Sequence, residues 1–536
     1  MARSRSVRTR RIAPPALAAL AVVALAGCSA TAADSAPTPN ADVAQNIVFA
    51  LKEDPKCLDP QQTSVTTSLN IGRQLVDSLL DQNPDTGQIE PWLASSWSVN
   101  DDLTAYTFTL RDGVTFSDGT ALTSAVVAAN FDAIAALGAS ASLANGYLAG
   151  YSGTEITSDT EFTVNFSAPN VQFPQGATTM SLGILAEASA KATADARCQS
   201  IIGSGPFTLD TYVPNDAVKI VKRAGYDWAS SLRGHQGEAY LDSVTFPIIT
   251  EAGVRTGGLE SGEYDVIQDL PYVDEARFMT DAYHLYAKAN PGVPNALIAN
   301  TTKGLLGDEA VRQAITKGID RDKINVVAGS QSGQAPTSVL TSSTPGYTDL
   351  GDTLAYDPDG AKALLEGDGW ALGPDGIYAK GGQKLTVTVT AFYAQDVLEA
   401  TQIQLKNVGI DLQLKMVSSG DFFGAVASGD YEFLGAGLTR TDPDVLRVVL
   451  SPTSKSRWGI VDDGELEALL QKQSQTADTA ERQKIVDQIQ QIVAERGYVI
   501  PTLETVQLHA SRAGVEGIVF DSAARIHLYD ALVASD

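Results

Sequence analysis

The stretch that most constrains the fold is residues 105–110, where apolar and small residues alternate strictly. Tyr106, Phe108 and Leu110 fall on one side of an extended chain, which predicts a strand with one buried face. An Asp-Gly pair follows and is typical of a turn. Thr123 then precedes apolar residues at helical spacing, so a capped helix is expected. A strand, a turn and a capped helix in this order indicate mixed α/β architecture.

Other segments show the same two periods. Further strands are expected at residues 47–51, 162–166, 218–223, 241–246, 266–267, 297–301, 384–391 and 499–503. Helical spacing covers residues 69–80. Asp357 before a proline, and Asp478 three residues before Glu481, predict the starts of two more helices. With 536 residues, the chain is long enough for two or more cores.

The charge of the chain excludes some partners. Its 38 basic and 64 acidic residues give a net charge of −26. Such a surface repels nucleic acid and anionic lipid headgroups. No nucleic-acid partner is therefore expected.

Residues 1–28 have the pattern of an export signal. An arginine-rich start leads into an apolar run that is too short for a membrane-spanning helix. The run closes on Leu25-Ala26-Gly27-Cys28, which resembles a bacterial lipobox. The thiol of Cys28 is then expected to carry a lipid anchor. The alternative is an ordinary secretory signal with a cysteine there by chance. Residues 29–46 are small and polar, as in a flexible tether.

Four sequence motifs between residues 91 and 120 resemble those of one protein family. The motifs are Pro91-Trp92-Leu93-Ala94, Ser96-Trp97, Leu110-Arg111-Asp112-Gly113-Val114 and Asp118-Gly119-Thr120. In this order they are similar to the signature of the family 5 extracellular solute-binding proteins. These proteins are the peptide, nickel and opine receptors of ATP-binding-cassette (ABC) importers.

The resemblance implies a two-lobed α/β periplasmic-binding-protein-like fold (type II, cluster C), with an extra subdomain inserted in the first lobe. Lobe I would comprise residues 47–76, 202–290 and 506–536, and the inserted subdomain residues 77–201. Lobe II would comprise residues 291–505. Gly203 and Gly205 match a turn of the family, where we expect both glycines to take positive φ.

Two cysteines remain after the lipobox, Cys57 and Cys198. The exported setting is oxidising, so an even pair suggests one disulfide. The resemblance places both in the first lobe. Two buried free thiols are the alternative.

No catalytic motif or metal-ligand spacing is evident, and the four histidines are scattered. We therefore expect a binding protein, with no enzymatic activity, cofactor or metal. Two lobes would close over a small solute and strengthen a few polar contacts inside.

The segment at residues 437–446 resembles the one that lines the family's cleft from the second lobe. In its peptide-binding members, an aspartate there pairs with the α-ammonium of the peptide. This chain has Thr439, Arg440 and Thr441 instead. A guanidinium would repel an ammonium and favour a carboxylate, a phosphate or sugar hydroxyls. The alternative is that Arg440 pairs with Asp442 or Asp444 and never meets the solute.

Two aromatic residues complete the expected solute site. Trp458 lies where the family often places pocket residues and could stack on the solute. Tyr393, at the end of a strand, is a weaker candidate of the same kind. Simple packing is the alternative for both residues.

The expected function is capture of an oligopeptide or peptide-like solute and its delivery to an ABC permease. The protein would be an extracytoplasmic monomer, anchored to the membrane by the lipid on Cys28. Alternatives are an anionic, opine-like or sugar-containing solute, a surface receptor that signals without transport, and an exported hydrolase.

Overall fold

The computed structural model describes residues 44–454 and 457–534. The predicted signal peptide, Cys28 and nearly all of the predicted tether lie outside the described residues. Across the part that is described, we find no helix with the length and apolar character needed to cross a membrane.

A seven-stranded mixed sheet organises the first lobe. Its central strand, Asn46–Ala50, pairs in parallel with a strand on each side, and the remaining pairs are antiparallel. Three separate parts of the chain contribute to it. In spatial order its strands are Tyr283–Ala289, Val506–Arg512, Val266–Ile267, Asn46–Ala50, Ser243–Pro247, Ala217–Lys222 and Phe207–Val213.

A four-stranded antiparallel sheet contains the alternating stretch. Its strands, in order, are Ala94–Val99, Ala105–Leu110, Glu161–Phe166 and Tyr151–Ile156. Tyr106, Phe108 and Leu110 are buried, as predicted. The side chain of Thr123 accepts from the backbone N–H of Val126 and begins the helix Ser124–Leu137. This sheet shares one apolar core with the seven-stranded sheet, so the two pack as one body.

A five-stranded sheet organises the second lobe. In spatial order its strands are Asp411–Met416, Thr386–Ala391, Phe433–Thr439, Gly292–Ala299 and Val499–Leu503. Its two faces bury different cores: Leu297 and Phe433 belong to one, and Ile298 and Leu434 to the other. Successive residues of a strand point to opposite faces, which explains the division. The structure is therefore two-lobed, while the boundaries given above stay a prediction.

The remaining strands are short. They are Leu80–Gln82 with Ile89–Pro91, Val515–Glu516 with Leu532–Val533, Val519–Phe520 with Ile526–His527, and the trio Ala371–Leu372, Tyr378–Lys380 and Gln383–Lys384.

Helices cover the faces of the sheets. The α-helices are Thr66–Leu75, Ser124–Leu137, Ser142–Tyr147, Phe173–Gly176, Glu187–Ala190, Ala194–Gln199, Ala252–Ser261, Glu275–Phe278, Glu309–Lys317, Arg321–Ala328, Pro358–Gly367, Gln395–Asn407, Ser419–Ser428, Val445–Leu450, Gly464–Ser474 and Thr479–Glu495. Single 3₁₀ turns occur at Gly138–Ala141, Met180–Leu182, Tyr272–Asp274 and Gly304–Gly307. Asp357 and Asp478 accept from backbone N–H groups at the helix starts predicted for them.

Two local predictions were wrong. The helix expected over residues 69–80 ends at Leu75, whose carbonyl accepts from the backbone N–H of Gly205 at 2.9 Å. The chain is extended from Val76 onward. Neither Gly203 nor Gly205 has positive φ. Instead, a Cβ on either glycine would overlap the backbone of Leu75. The glycines therefore allow the turn to pass closely over the end of the helix.

Candidate functional site

The two lobes meet where the strand Phe433–Thr439 ends. The Cζ atom of Arg440 lies 4.5 Å from the centre of the Tyr147 ring, which belongs to the helix Ser142–Tyr147. A Cβ on Gly146 would overlap the Arg440 guanidinium, so the absence of a side chain at residue 146 permits the contact. The backbone N–H of Arg440 donates to the carbonyl of Pro291 at 3.0 Å, which fixes the base of the side chain.

The carboxylates nearest to Arg440 in sequence have other partners. Arg482 donates to both carboxylate oxygens of Asp442, at 2.5 and 3.0 Å. Arg447 does the same to Asp444, at 2.6 and 2.7 Å. Burial would raise the pKa of Asp442, but the ion pair with Arg482 outweighs it and lowers that pKa. Both carboxylates are therefore neutralised without Arg440.

Arg440 itself is 5% exposed. Its Nε and Nη1 atoms have no hydrogen-bond partner among residues 44–454 and 457–534. A buried guanidinium without acceptors is unfavourable, because it has lost water and gained nothing in return except the Tyr147 ring. This is the feature expected of a side chain that binds a solute.

Two glutamines lie beside this contact. The side-chain amide of Gln172 donates to the carbonyl of Gly146 at 3.2 Å, and its own oxygen is buried without a partner in the described part of the chain. The oxygen and nitrogen atoms of the Gln175 side-chain amide are also buried without a hydrogen-bond partner in the described part of the chain. The first lobe therefore presents amide groups that can still form hydrogen bonds.

The C-terminal segment at residues 521–525 forms a third side of the site, next to Thr441. The hydroxyl of Thr441 lies 3.5 Å from the carbonyl of Ser522. Asp521 accepts from the backbone N–H groups of Ala523 and Arg525, and its other oxygen lies 3.6 Å from Nε of Arg73. This segment brings Arg525 towards the same site.

Electrostatics connect these groups through Tyr147. Burial raises the pKa of the Tyr147 hydroxyl; the nearby charges of Arg440 and Arg525 lower it, and those of Asp442 and Asp521 raise it. Burial likewise lowers the pKa of Arg525, against the opposing effects of Asp521 and Tyr147. The charges of two buried arginines from different parts of the chain, Arg440 and Arg525, therefore both act on Tyr147.

A cavity of about 310 Å³ adjoins the site. One wall comes from the first lobe, with Tyr106 and Gln175, and the other from the second lobe, with Thr441, Asp442 and Arg482. A volume in this range suits a small organic molecule.

The predicted site residues divide into two groups. Arg440 and Thr441 are buried at the junction of the lobes, and Thr439 leads into them from the strand, paired with Gly292. Tyr393 and Trp458 instead lie in an aromatic cluster of the second lobe.

The Tyr393 hydroxyl accepts from the backbone N–H of Gly437 at 2.6 Å, and burial raises its pKa to about 12. The ring of Trp458 meets Phe422 edge-on at 6.0 Å. The carbonyl of Trp458 accepts from the hydroxyl of Tyr431.

Sequence reasoning missed Tyr147, Gln172, Gln175 and Arg525. None of them belongs to a motif, and each is far from Arg440 along the chain. A weak signal was present: polar residues that stand between apolar ones, as in the buried stretch at residues 171–182.

The described residues contain no group of His, Cys, Asp or Glu side chains that could hold a metal ion. Cys57 and Cys198 are joined as a disulfide in the structure.

Comparison with known proteins identifies the family. The model of the bacterial extracellular solute-binding proteins, family 5 Middle, matches residues 88–459, more than half of the chain. The glutathione-binding protein GsiB of Salmonella typhi is 28% identical over 395 residues, and the match covers 70% of each chain.

Solved structures share the fold. NikA from Brucella suis, in complex with Fe(III)-EDTA, has a TM-score of 0.78 at 21% identity, over 91% of this chain and 99% of its own. A dipeptide-binding protein from Pseudoalteromonas sp. SM9913, in complex with Met-Leu, has a TM-score of 0.74 at 21% identity, over 91% of this chain and 100% of its own. The chain therefore belongs to the family 5 bacterial extracellular solute-binding proteins.

Proposed function

We propose that this protein captures a peptide-like organic solute between its lobes and delivers it to the permease of an ABC importer. The observation that carries the proposal is Arg440, which crosses from one lobe to the other and is buried with unpartnered N–H groups. A solute between the lobes would supply acceptors, which would strengthen the closed arrangement. The relative named for glutathione, a tripeptide, supports the solute class.

We assign the solute contacts to Arg440 and Thr441, with Thr439 at the edge of the site. Trp458 and Tyr393 pack in the aromatic cluster of the second lobe, and we propose that they contact only a larger solute. The two lobes are connected at residues 290–291 and 505–506, which lie side by side: the backbone N–H of Asn290 donates to the carbonyl of Thr505 at 2.9 Å. We propose that closure bends the chain at these two crossings.

The proposed anchor is a lipid on Cys28, supported by the lipobox-like sequence that ends the apolar run. Replacing Cys28 with serine should release the protein from membranes into the soluble fraction. Unchanged membrane retention of the Cys28→Ser protein would rule out the anchor.

The Cys57–Cys198 bond is proposed for the exported protein. Thiol titration of the unfolded, unreduced protein without its leader should find no free thiol at these two positions. Two free thiols would show that the bond does not form.

The solute class can be tested by thermal shift and calorimetry. The panel would contain dipeptides, tripeptides including glutathione, opines, oligosaccharides and chelated metals. We expect peptide-like compounds to raise the Tm and to reduce the radius of gyration in solution scattering. Stabilisation by oligosaccharides alone, or steady turnover of a compound by the pure protein, would contradict the proposal.

A variant can test the position of the site. Gly146→Leu places a side chain where Arg440 packs, and should weaken solute binding by preventing full closure. The matched control is Gly257→Leu, on a helix of the first lobe where a Cβ would contact nothing within 4 Å. Equal affinity of the two variants would place the solute elsewhere.

A further inference from the structure

We infer that the solute is an anion whose carboxylate is bound by Arg440 and Arg525 together, one from each lobe. The inference deepens the proposed function and rests on it for the location of the solute. It adds Arg525 to Arg440 and makes a negative charge on the solute a requirement.

Positive charges outnumber negative ones around the site. Four buried or largely buried arginines surround the site: Arg73, Arg440, Arg482 and Arg525. The carboxylates nearest to them are Asp442, Asp444 and Asp521. Arg482 pairs with Asp442, and Arg73 lies 3.6 Å from Asp521. Asp444 pairs with Arg447. Among the described residues no carboxylate oxygen lies within 4 Å of the guanidinium of Arg440 or Arg525, so the surplus of positive charge falls on these two arginines.

This surplus of positive charge cannot be removed by deprotonation. A guanidinium stays charged at any pH that the folded protein experiences, unlike a buried lysine or histidine. The only side-chain hydrogen bond from Arg525 in the described part of the molecule is a long one, 3.4 Å, to the neighbouring carbonyl of Ala524. Burial of these charges is unfavourable until an anion arrives.

The positive charge at the site contrasts with the acidic composition of the protein. Its net charge is −26, so a local excess of positive charge opposes the overall composition. Charge of this sign is not needed for solubility here. A carboxylate at this site would accept charge-assisted hydrogen bonds from the unpartnered N–H groups of Arg440.

The site does not suit a positively charged group of the solute. A peptide α-ammonium needs a free carboxylate, and Asp442, Asp444 and Asp521 already have arginine partners. An ammonium beside Arg440 and Arg525 would be repelled. The amides of Gln172 and Gln175 are neutral and suit the peptide or amide groups of the same solute.

The test compares matched acids and amides on the full-length protein by calorimetry. The pairs are glutathione and its diamide, N-acetyl-trialanine and N-acetyl-trialanine amide, and glutarate and glutaramide. We expect at least one acid to bind, and to bind more than about tenfold tighter than its amide, as for a buried charged hydrogen bond.

The outcomes separate the two proposals. Binding of glutarate alone would support the anion site and overturn the peptide class. Binding of peptides with equal affinity for acid and amide would overturn the anion site and keep the peptide class. If no compound of either form binds, both proposals fail.

Variants locate the two arginines. Arg440→Gln and Arg525→Gln should each lose at least tenfold in affinity for the preferred acid, while the amide is affected much less. The control Arg277→Gln removes the same charge from an exposed arginine paired with Asp274 and Glu260. It should bind like the wild type. If Arg440→Gln does not fold, the acid–amide comparison and Arg525→Gln still decide; wild-type affinity in Arg525→Gln would overturn its role.

Discussion

Two arginines of the second lobe, Arg321 and Arg440, are buried to the same extent but differ in their hydrogen-bond acceptors. Arg321 is 6% exposed and Arg440 5%. Arg321 donates to the carbonyls of Pro501, Leu354, Ile319 and Thr316, at distances between 2.6 and 3.4 Å. Arg440 has two nitrogen atoms without any acceptor in the part of the chain that is described.

The difference separates a structural arginine from one that binds a solute. Burial in a low-dielectric environment lowers the pKa of Arg321 to about 10, and the charge of Asp320 opposes this shift. The surrounding carbonyls compensate for the lost water and connect a helix start to the edge strand of the sheet. At Arg440 the lost hydrogen bonds to water are only partly replaced, so a bound solute can supply the missing acceptors. Exposure alone would not distinguish the two residues.

The largest expected effect is on Arg321. Arg321→Met would leave four buried carbonyls without their donor, and we expect a loss of about 3 kcal/mol or more in unfolding free energy. Thermal or urea unfolding measures it. The control Arg277→Met, on an exposed arginine, should change stability by less than about 1 kcal/mol. A similar small loss in both variants would mean that the carbonyls around Arg321 find other donors.

The second prediction uses a buried group that can lose its charge. His509 accepts from the backbone N–H of Asp269 through Nδ1, while Nε2 has no partner among the residues described. Burial lowers the pKa of His509 from 6.5 to about 4, Asp269 opposing. Buried His509 can therefore lose its proton and its charge, whereas buried Arg440 keeps its charge.

The sign of the pH effect follows from these values. Between pH 6.5 and about 4, the unfolded chain binds a proton that folded His509 does not, so stability falls as the pH falls. The contribution is about 3 kcal/mol across this window. Wild type should lose more stability than His509→Gln between pH 7 and 4, measured by urea unfolding. His284→Gln, on an exposed histidine, should follow the wild type; equal slopes for all three would contradict the assignment.

Much of the fold could be predicted from the sequence, because the deciding signals are local. Alternation predicted the strand at residues 105–110, and side-chain oxygens at Thr123, Asp357 and Asp478 predicted three helix starts. The family signature, also local, predicted the two-lobed architecture. The end of the helix at Leu75 could not be predicted, since it depends on a distant glycine turn.

The site could be predicted only in part. Arg440 stood out because its charge departs from the family pattern, and that signal is local. Its contact with Tyr147, and the approach of Arg525, arise only when separate parts of the chain come together. Gln172 and Gln175 carry no motif, and their importance lies in hydrogen bonds that are not made. Sequence patterns do not encode such missing partners.

The smallest expected effect is on Arg440 in the absence of solute. Arg440→Met removes a buried charge whose compensation is incomplete, while the methionine side chain can still pack on Tyr147. We therefore expect unfolding free energy to change by less than about 1 kcal/mol, and to rise rather than fall if it changes. Addition of the preferred solute should raise the Tm of the wild type more than the Tm of the variant. A large loss of stability without solute would make Arg440 a structural residue like Arg321, because its cost would then not depend on a bound molecule.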